Sequence, residues 1–219
     1  MGKKKEKYYK YLNKDGRTPQ GFGKYPMPRN GKPGRWHKVE GELIACENGL
    51  HVLRAKDLLD WEGPLLWEVE VRGEVVPADD KVVVREIRLL RKVMGEREWR
   101  LFACDSAARI LRKHGRPVDE RSVEAIRVAR LYADGKATNG ELAAARDAAW
   151  ASAWFTRDDR NAAKDAAWDA WATTRDAAWA FAWFTRDDRN AEYKWRIARL
   201  KKYISGTTPR PVPLPKADR

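Results

Sequence analysis

The chain has 219 residues and a formal net charge of +13, with 43% hydrophobic and 35% charged residues. This length and balance favour one large or two small folded domains, and they exclude a wholly disordered chain because enough apolar surface is present to offset chain entropy. The two cysteines lack framework spacing, the start is charged from residue 3, and no long apolar run is present. The sequence therefore predicts neither a disulfide-stapled secreted protein, nor a signal peptide, nor a membrane span, and we expect a cytoplasmic protein.

Residues 1–38 are predicted to form a basic arm and loop rich in Gly and Pro. The segment holds nine Lys and three Arg against one Asp and one Glu, a net charge of +10. Tyrosines alternate with lysines near its start, which is the composition of a segment that contacts phosphates and stacks on bases. A short strand over residues 8–12 and a solvated, solubilising tail are alternative interpretations. The candidate binding residues are Lys3, Lys4, Lys5, Lys7, Tyr8, Tyr9, Lys10 and Tyr11.

Residues 39–94 are predicted to form a small β-rich domain. Its first element is a β-hairpin over residues 42–53, because Asn48-Gly49 can supply the positive φ angles of a two-residue turn. Alternating apolar residues then indicate further strands. The other predicted elements are a short helix over residues 55–61 and strands over residues 65–71 and 81–93.

Residues 95–205 are predicted to form a helical domain. The apolar residues now follow a helical period, and breaks at His114-Gly115 and Asp134-Gly135 end two successive helices. Thr138 and Glu141 have the spacing of a capping box, in which each side chain satisfies a free backbone amide of the other. A third helix is therefore predicted to begin there.

The third helix runs into Trp/Ala-rich repeats, mostly of eleven residues. The block that begins at Arg146 returns almost unchanged at Arg175, and no Gly or Pro interrupts residues 141–205. At about 100° per residue the tryptophans return to one stripe about 120° wide. Large aromatics form both helix-bundle cores and interfaces, so the stripe is expected to be a core, a partner surface or a self-association surface. The stripe consists of Trp150, Trp154, Trp168, Trp171, Trp179 and Trp183.

The predicted fold class is therefore α+β, with a small β-rich N-terminal domain followed by an all-α helical region with 11-residue Trp/Ala repeats. Residues 206–219 carry four prolines and are predicted to form an extended, polyproline-type tail.

Two parts of the chain carry a family resemblance. The motifs CENGLH at residues 46–51, EVEVRGEVV at 68–76 and DKVV at 80–83 resemble a domain family frequent in phage and prophage proteins. The motifs RLFACD at residues 100–105, RP at 116–117 and AIRVAR at 125–130 look like the helical module of proteins designated immunity proteins. The resemblance implies a phage-associated or immunity-like protein but no established activity. The first family often has a second Cys where Leu53 stands here, so a metal-binding Cys pair is not implied for this chain.

The chain offers few candidate catalytic residues. Cys46, His51 and His37 give one loose pair rather than the four closely spaced ligands that zinc prefers, so neither a metal nor a cofactor is predicted. The order of elements is similar to the layout of ADP-ribosyltransferase-like folds, which need a carboxylate to stabilise an oxocarbenium-like centre. Grouped with Glu68 and Glu70, the same carboxylates would suit a metal-dependent nuclease, and ordinary strand-face charges are the plainer interpretation. The candidates for this chemistry are His51, Asp79, Asp80 and Glu86.

The sequence favours a non-catalytic protein, because it contains no phosphate-binding glycine loop, serine nucleophile elbow or HExxH helix. We expect a phage or mobile-element accessory protein, or an immunity-like protein, that binds another macromolecule. Another protein is the first expected partner, with self-association through the repeat helix as a further expectation and no membrane partner. The two alternatives are a nucleic-acid-binding protein that uses the basic arm and an ADP-ribosyltransferase-like enzyme.

Overall fold

The computed structural model describes residues 6–20, 23–61, 63–113, 120–152 and 186–216. The chain divides into two compact units, Met1–Gly95 and Glu96–Arg219. Among the described residues, the first unit contains five strands and a short 3₁₀ helix, and the second contains four α-helices.

The first unit is built on an antiparallel sheet. Its strands are β1 (Tyr8–Leu12), β2 (His37–Lys38), β3 (Leu50–Arg54), β4 (Leu65–Pro77) and β5 (Val82–Met94). β4 pairs with β1 and β5, and β3 also pairs with β1 and β5, so these four strands close into a ring. β2 adds to β5 outside the ring. The 3₁₀ helix, Leu58–Asp60, lies in the connection from β3 to β4.

The core of the first unit explains why these segments form strands. Val82, Val83 and Val84 are all buried, so β5 is covered on both faces, since successive side chains of a strand point to opposite faces. Leu12 of β1, Val52 of β3 and Leu66 of β4 are fully buried as well. The closed arrangement therefore hides β-branched and aromatic side chains that favour the extended backbone.

The second unit contains α1 (Glu96–Lys113), α2 (Glu120–Ala133), α3 (Asn139–Ser152) and α4 (Arg186–Ile204). The predicted capping box is confirmed: the Glu141 carboxylate accepts a hydrogen bond from the Thr138 amide at 2.7 Å, and the Glu141 amide donates to the Thr138 hydroxyl at 3.2 Å. None of the described helices has the length and apolarity that a membrane crossing requires.

The predicted fold class, with its all-α region of 11-residue repeats, is wrong. The described residues instead form an α+β mix of one five-stranded antiparallel sheet and four helices. The core shared by α1 and α2 uses no residue of the predicted repeats, which begin at Arg146. The helical period of a sequence shows which face is apolar, but it does not show which element covers that face. Here α1 and α2 cover each other, because small side chains let the two helices pack closely. This core consists of Cys104, Ala107, Ala108, Leu111, Ala125, Ile126 and Ala129.

The predicted tryptophan stripe falls almost wholly outside the described residues. Trp150 lies in α3, and its side chain is not among those described. The other five stripe residues lie between residues 153 and 185, outside the described ranges. Trp195, which the sequence places on the opposite side from the stripe, is half-buried on α4, with the Arg109 guanidinium 4.6 Å from its ring centroid.

The predicted hairpin over residues 42–53 is also corrected. Only its second half is a strand, β3, and the chain before it makes a tight turn over residues 44–48. The Ile44 amide donates to the Asn48 carbonyl at 2.8 Å, and the Asn48 amide donates back to the Ile44 carbonyl at 2.9 Å. The strand partners of β3 are β1 and β5, because these apolar neighbours bury it on both edges.

Candidate functional sites

The turn over residues 44–48 presents Cys46 to solvent. Cys46 has a φ of +69°, a left-handed conformation that costs free energy for a residue with a β-carbon. The Asn48 side chain braces the turn by donating to the Glu40 carbonyl at 2.7 Å and to the Glu42 carbonyl at 2.8 Å. The structure thus holds an exposed thiol on a strained but well-braced turn.

His51 of β3 lies directly behind this thiol. Its Nε2 accepts a hydrogen bond from the Cys46 backbone amide at 3.3 Å. Burial, followed by the positive charges of Lys10 and Lys81, lowers the pKa of His51 below its usual value, although Asp80 opposes them. The imidazole is therefore neutral at neutral pH, with its other nitrogen, Nδ1, carrying the proton.

Lys10 supports His51 from inside the sheet. Burial lowers the pKa of Lys10 to about 8. Its ammonium donates to the His51 carbonyl at 2.7 Å and lies 4.7 Å from the centroid of the Tyr25 ring. The centroids of the His37 and Tyr25 rings lie 5.0 Å apart, and burial together with the Lys10 charge lowers the pKa of His37. This group is structural, because each member is engaged by another.

Asp80 and Lys81 complete the cluster around Cys46 and His51. Burial alone would lower the pKa of Lys81, but a hydrogen bond to the Cys46 side chain and the charge of Asp80 outweigh it and raise that pKa. The Lys81 ammonium lies 3.5 Å from the Asp80 carboxylate and 5.0 Å from the Trp61 ring centroid. The Trp61 indole N–H donates to the Asp80 carbonyl at 3.0 Å. Two predicted candidates, His51 and Asp80, therefore come together with a thiol and an ammonium.

The other predicted catalytic carboxylates lie elsewhere in the sheet. Glu86 accepts a hydrogen bond from Arg72 Nε at 2.6 Å, across β4 and β5. Glu68 pairs with Lys7 at 2.6 Å and with Arg91 at 2.7 Å, while Glu70 pairs with Arg88 at 2.6 Å. The sheet thus uses these groups as strand-face ion pairs and does not gather them into a nuclease-like site. The fourth candidate, Asp79, offers its carbonyl to Arg54 at 2.9 Å.

Four of the predicted binding residues, Tyr8, Tyr9, Lys10 and Tyr11, belong to β1 of the sheet rather than to a free arm. The Tyr9 and Tyr11 rings are buried, and the Tyr11 hydroxyl donates to the Leu58 carbonyl at 3.0 Å. Tyr8 is half-buried, and its hydroxyl donates to Glu6 at 2.9 Å. The rings pack against apolar partners on β3 and β4 instead of facing solvent, so Tyr9 and Tyr11 present no ring for base stacking. Lys3, Lys4 and Lys5 lie outside the described residues.

The exposed positive charge lies further along, on the loop over residues 13–38. Five cations there are exposed and have no ion pair with any described residue: Lys14, Lys24, Arg29, Lys32 and Arg35. Composition indicates a basic segment, but burial separates these cations from Lys10, and the ion pair with Glu68 separates them from Lys7. We call these five residues the loop cations.

The loop that carries these cations is held in place by its own turns. Asn30 and Gly31 have φ values of 51° and 71°, as in a type I′ hairpin turn. The Arg29 amide donates to the Lys32 carbonyl at 3.1 Å, and the Lys32 amide donates back at 2.9 Å. The Gly34 amide donates to the Leu89 carbonyl of β5 at 2.9 Å, which ties the loop to the sheet.

An aromatic side chain borders the loop cations. Trp36 is half-buried, and its ring lies 4.2 Å from the Arg72 guanidinium and 4.8 Å from the Arg88 guanidinium. Such stacked guanidinium and indole groups occur where proteins contact nucleic-acid bases, and they also occur as ordinary surface packing.

Comparison with known proteins gives no guide to function: no protein-family model matches the chain, and neither a curated protein nor a solved structure matches it.

Proposed function

We propose that this chain is a non-catalytic phage or mobile-element accessory protein, immunity-like in its second unit, that acts in the host cytoplasm by binding nucleic acid. The observation that carries this proposal is the set of five loop cations, exposed and without a carboxylate partner among the described residues. An exposed cation without a partner is free to replace the counterions that surround a phosphate backbone.

Most cations elsewhere in the first unit are paired with carboxylates, which leaves the loop as the main place for phosphate contacts. The arginines of β4 and β5 pair with carboxylates, as in the pairs of Arg85 with Glu74 at 2.6 Å and of Arg88 with Glu70 at 2.6 Å. The loop cations are therefore the main uncompensated charge of the described part of this unit. Trp36 follows Arg35 in the chain and is flanked by two guanidiniums, and it offers a ring against which a base can pack.

The salt dependence of binding tests the proposal. Each phosphate contact contributes about 0.9 to the slope of log affinity against log salt on duplex DNA. Replacing Lys24, Arg29 and Lys32 together by Ala should therefore lower that slope by about 2 to 3, measured by fluorescence anisotropy with a random-sequence duplex.

The matched control replaces three cations of the second unit, Lys136, Lys201 and Lys202, which are also exposed. This variant removes the same charge from the chain and should leave the slope close to that of the unmodified protein. Equal slopes for the loop variant and the unmodified protein would count against the loop, and equal losses in both variants would show that net charge alone is responsible.

A second candidate function is an ADP-ribosyltransferase-like activity of the first unit. It is favoured by the approach of His51 and Asp80 beside Trp61, a ring that could cover a nicotinamide or adenine group. Calorimetry with NAD should then show binding that is lost when His51 and Asp80 are changed to Ala. The Glu86→Ala variant is the control, since Glu86 is engaged with Arg72 in the strand pair. No heat of NAD binding to the unmodified chain would remove this candidate.

A further inference from the structure

Asp105 is the most heavily engaged carboxylate of the second unit. It lies on α1 and is 1% exposed. Its Oδ1 accepts hydrogen bonds from Arg130 of α2 at 3.1 Å and from the Val212 amide at 2.9 Å. Its Oδ2 accepts from Arg199 Nε at 2.9 Å and from the Tyr203 hydroxyl at 2.7 Å, both on α4. A buried carboxylate is stable in this setting because two guanidiniums offset its charge.

The hydroxyl of Tyr203 is fixed as a donor in this group. Burial, and then the charge of Asp105, raises the pKa of Tyr203 above its usual value. The phenol therefore keeps its proton and donates to the carboxylate at every physiological pH. The groove between α1, α2 and α4 thus has a rigid polar floor.

The C-terminal tail lies on this floor and is recognised through its backbone. The Val212 amide donates to Asp105, and the Val212 carbonyl accepts from Arg130 at 2.7 Å. Two residues earlier, the Arg210 carbonyl accepts from Arg199 at 2.5 Å. Side chains of the helices, rather than a neighbouring strand, satisfy these groups. The predicted polyproline-type tail is in this way a bound segment.

The apolar side chains of the tail alternate between contact with the helices and exposure to solvent. Val212 and Leu214 are half-buried and pack against the core shared by α1 and α2. Pro209 is buried, whereas Arg210, Pro211 and Pro213 are exposed. Prolines preset the extended conformation, so little chain entropy is lost when such a segment docks.

The link between α4 and the tail is exposed, and Arg97 donates to the Thr208 hydroxyl at 3.5 Å. Ser205, Gly206, Thr207 and Thr208 are all exposed, and Gly206 has a φ of 88°. The docked segment has no regular secondary structure of its own, and its recognition uses backbone groups that any extended peptide carries. Specificity then depends on a small aliphatic side chain at the Val212 position between two prolines.

We propose that the groove between α1, α2 and α4 is a binding site for extended proline-rich peptides of a partner protein, and that residues 209–214 are its resident ligand. The partner segment replaces the tail, with its own amide on Asp105 and its own carbonyl on Arg130. This site is separate from the loop cations and does not depend on nucleic-acid binding.

The test uses the full chain and a labelled synthetic peptide of sequence TTPRPVPLPKA, which repeats residues 207–217. In the unmodified chain the tethered tail competes at a high effective concentration, so the free peptide should bind weakly. The Val212→Pro chain lacks the amide that donates to Asp105 and keeps the extended conformation, so its tail should be the weaker competitor. We expect this chain to bind the peptide at least about tenfold more tightly, because a hydrogen bond to a charged group is lost only from the tail.

Two controls separate the groove from unspecific binding. The Lys216→Pro chain loses an exposed amide that lies outside residues 209–214 and has no hydrogen-bond partner among the described residues, so it should behave as the unmodified chain does. A peptide that itself carries Pro in place of Val212 should not bind the Val212→Pro chain. Because changes at buried Asp105 endanger folding, the peptide variants carry the specificity test.

Equal peptide affinity in the unmodified and Val212→Pro chains would overturn the proposal, as would no binding to a Val212→Pro chain that keeps its circular dichroism spectrum. Dimerisation of the unmodified chain that the free peptide reverses would also overturn the assignment of a separate partner, since the tail of a second copy would then fill the groove.

Discussion

Lys10 shows how a residue that looks like part of a basic arm can serve the core instead. Its alternation with tyrosines suggested phosphate contact, but the same alternation places Tyr9 and Tyr11 on one face of β1 and Lys10 on the other. Lys10 is 7% exposed, and its ammonium contacts the His51 carbonyl and the Tyr25 ring. Sequence composition cannot separate this role from an exposed one, because both use a Lys between aromatics.

The burial of Lys10 predicts a pH dependence of stability. Its pKa is lowered from 10.5 to about 8 in the folded chain, so between these values the unfolded chain binds more protons and stability rises with pH. Relative to a Lys10→Met variant, the free energy of unfolding should increase by about 3 kcal/mol from pH 8 to pH 10.5. Urea unfolding of both proteins across this range measures the difference. If the difference in unfolding free energy between the two proteins stays constant with pH, burial does not lower the pKa of Lys10.

Cys46, His51, Asp80 and Lys81 illustrate how far a site can be found from the sequence. The similarity of the element order to ADP-ribosyltransferase-like folds points to His51 and Asp80, and the structure brings them together. Glu86 was placed with them because it is a nearby carboxylate, but strand pairing directs it to Arg72. Lys81 was missed, since nothing in its local sequence shows that the turn over residues 44–48 folds back toward it.

The elements were predictable where one local signal decides the structure. Alternation located β4 and β5, although β4 continues to Pro77 because Gly73, with a φ of 79°, lets the strand bend and continue pairing. The Asn-Gly signal was assigned to the wrong pair: Asn30-Gly31 forms the two-residue turn, whereas Asn48 braces a different turn with its side chain. The same dipeptide can fill either role, and tertiary contacts decide between them.

Gly49 gives a prediction at the scale of these elements. Its φ is 144°, and a β-carbon there would lie 2.1 Å from Val83 Cγ1 of β5. Gly49→Ala should therefore lower the free energy of unfolding by about 2 to 4 kcal/mol through overpacking and strain. Gly31→Ala is the control, because its φ is 71° but no heavy atom lies within 4 Å of the added carbon. Thermal unfolding should separate the two variants, and equal melting temperatures would contradict the close approach of β3 to β5.

The tail and Asp105 show what element-level reasoning missed. Four prolines predict an extended segment, but they carry no information about docking. Asp105 follows an apolar run on α1 and has no local partner, so its role depends on Arg130, Val212 and Arg199, all distant in sequence. Polar contacts between residues distant in sequence depend on the tertiary structure and produce no local sequence pattern.

On the scale of the whole molecule, the two units carry different kinds of surface. The first unit neutralises most of its strand charges in pairs and exposes the loop cations. The second unit buries its central charge at Asp105 and binds its own tail. This contrast is the basis of our proposal that the first unit holds nucleic acid and the second a protein segment.

Hydrogen exchange of the full chain, with and without a random-sequence DNA duplex, tests the central claim most directly. If the loop cations form the nucleic-acid surface, the duplex should slow the exchange of backbone amides over residues 13–38, and it should leave those of α1, α2 and α4 unchanged. Protection of the helices without protection of the loop, or no protection of residues 13–38 at a duplex concentration that saturates binding, would contradict the account.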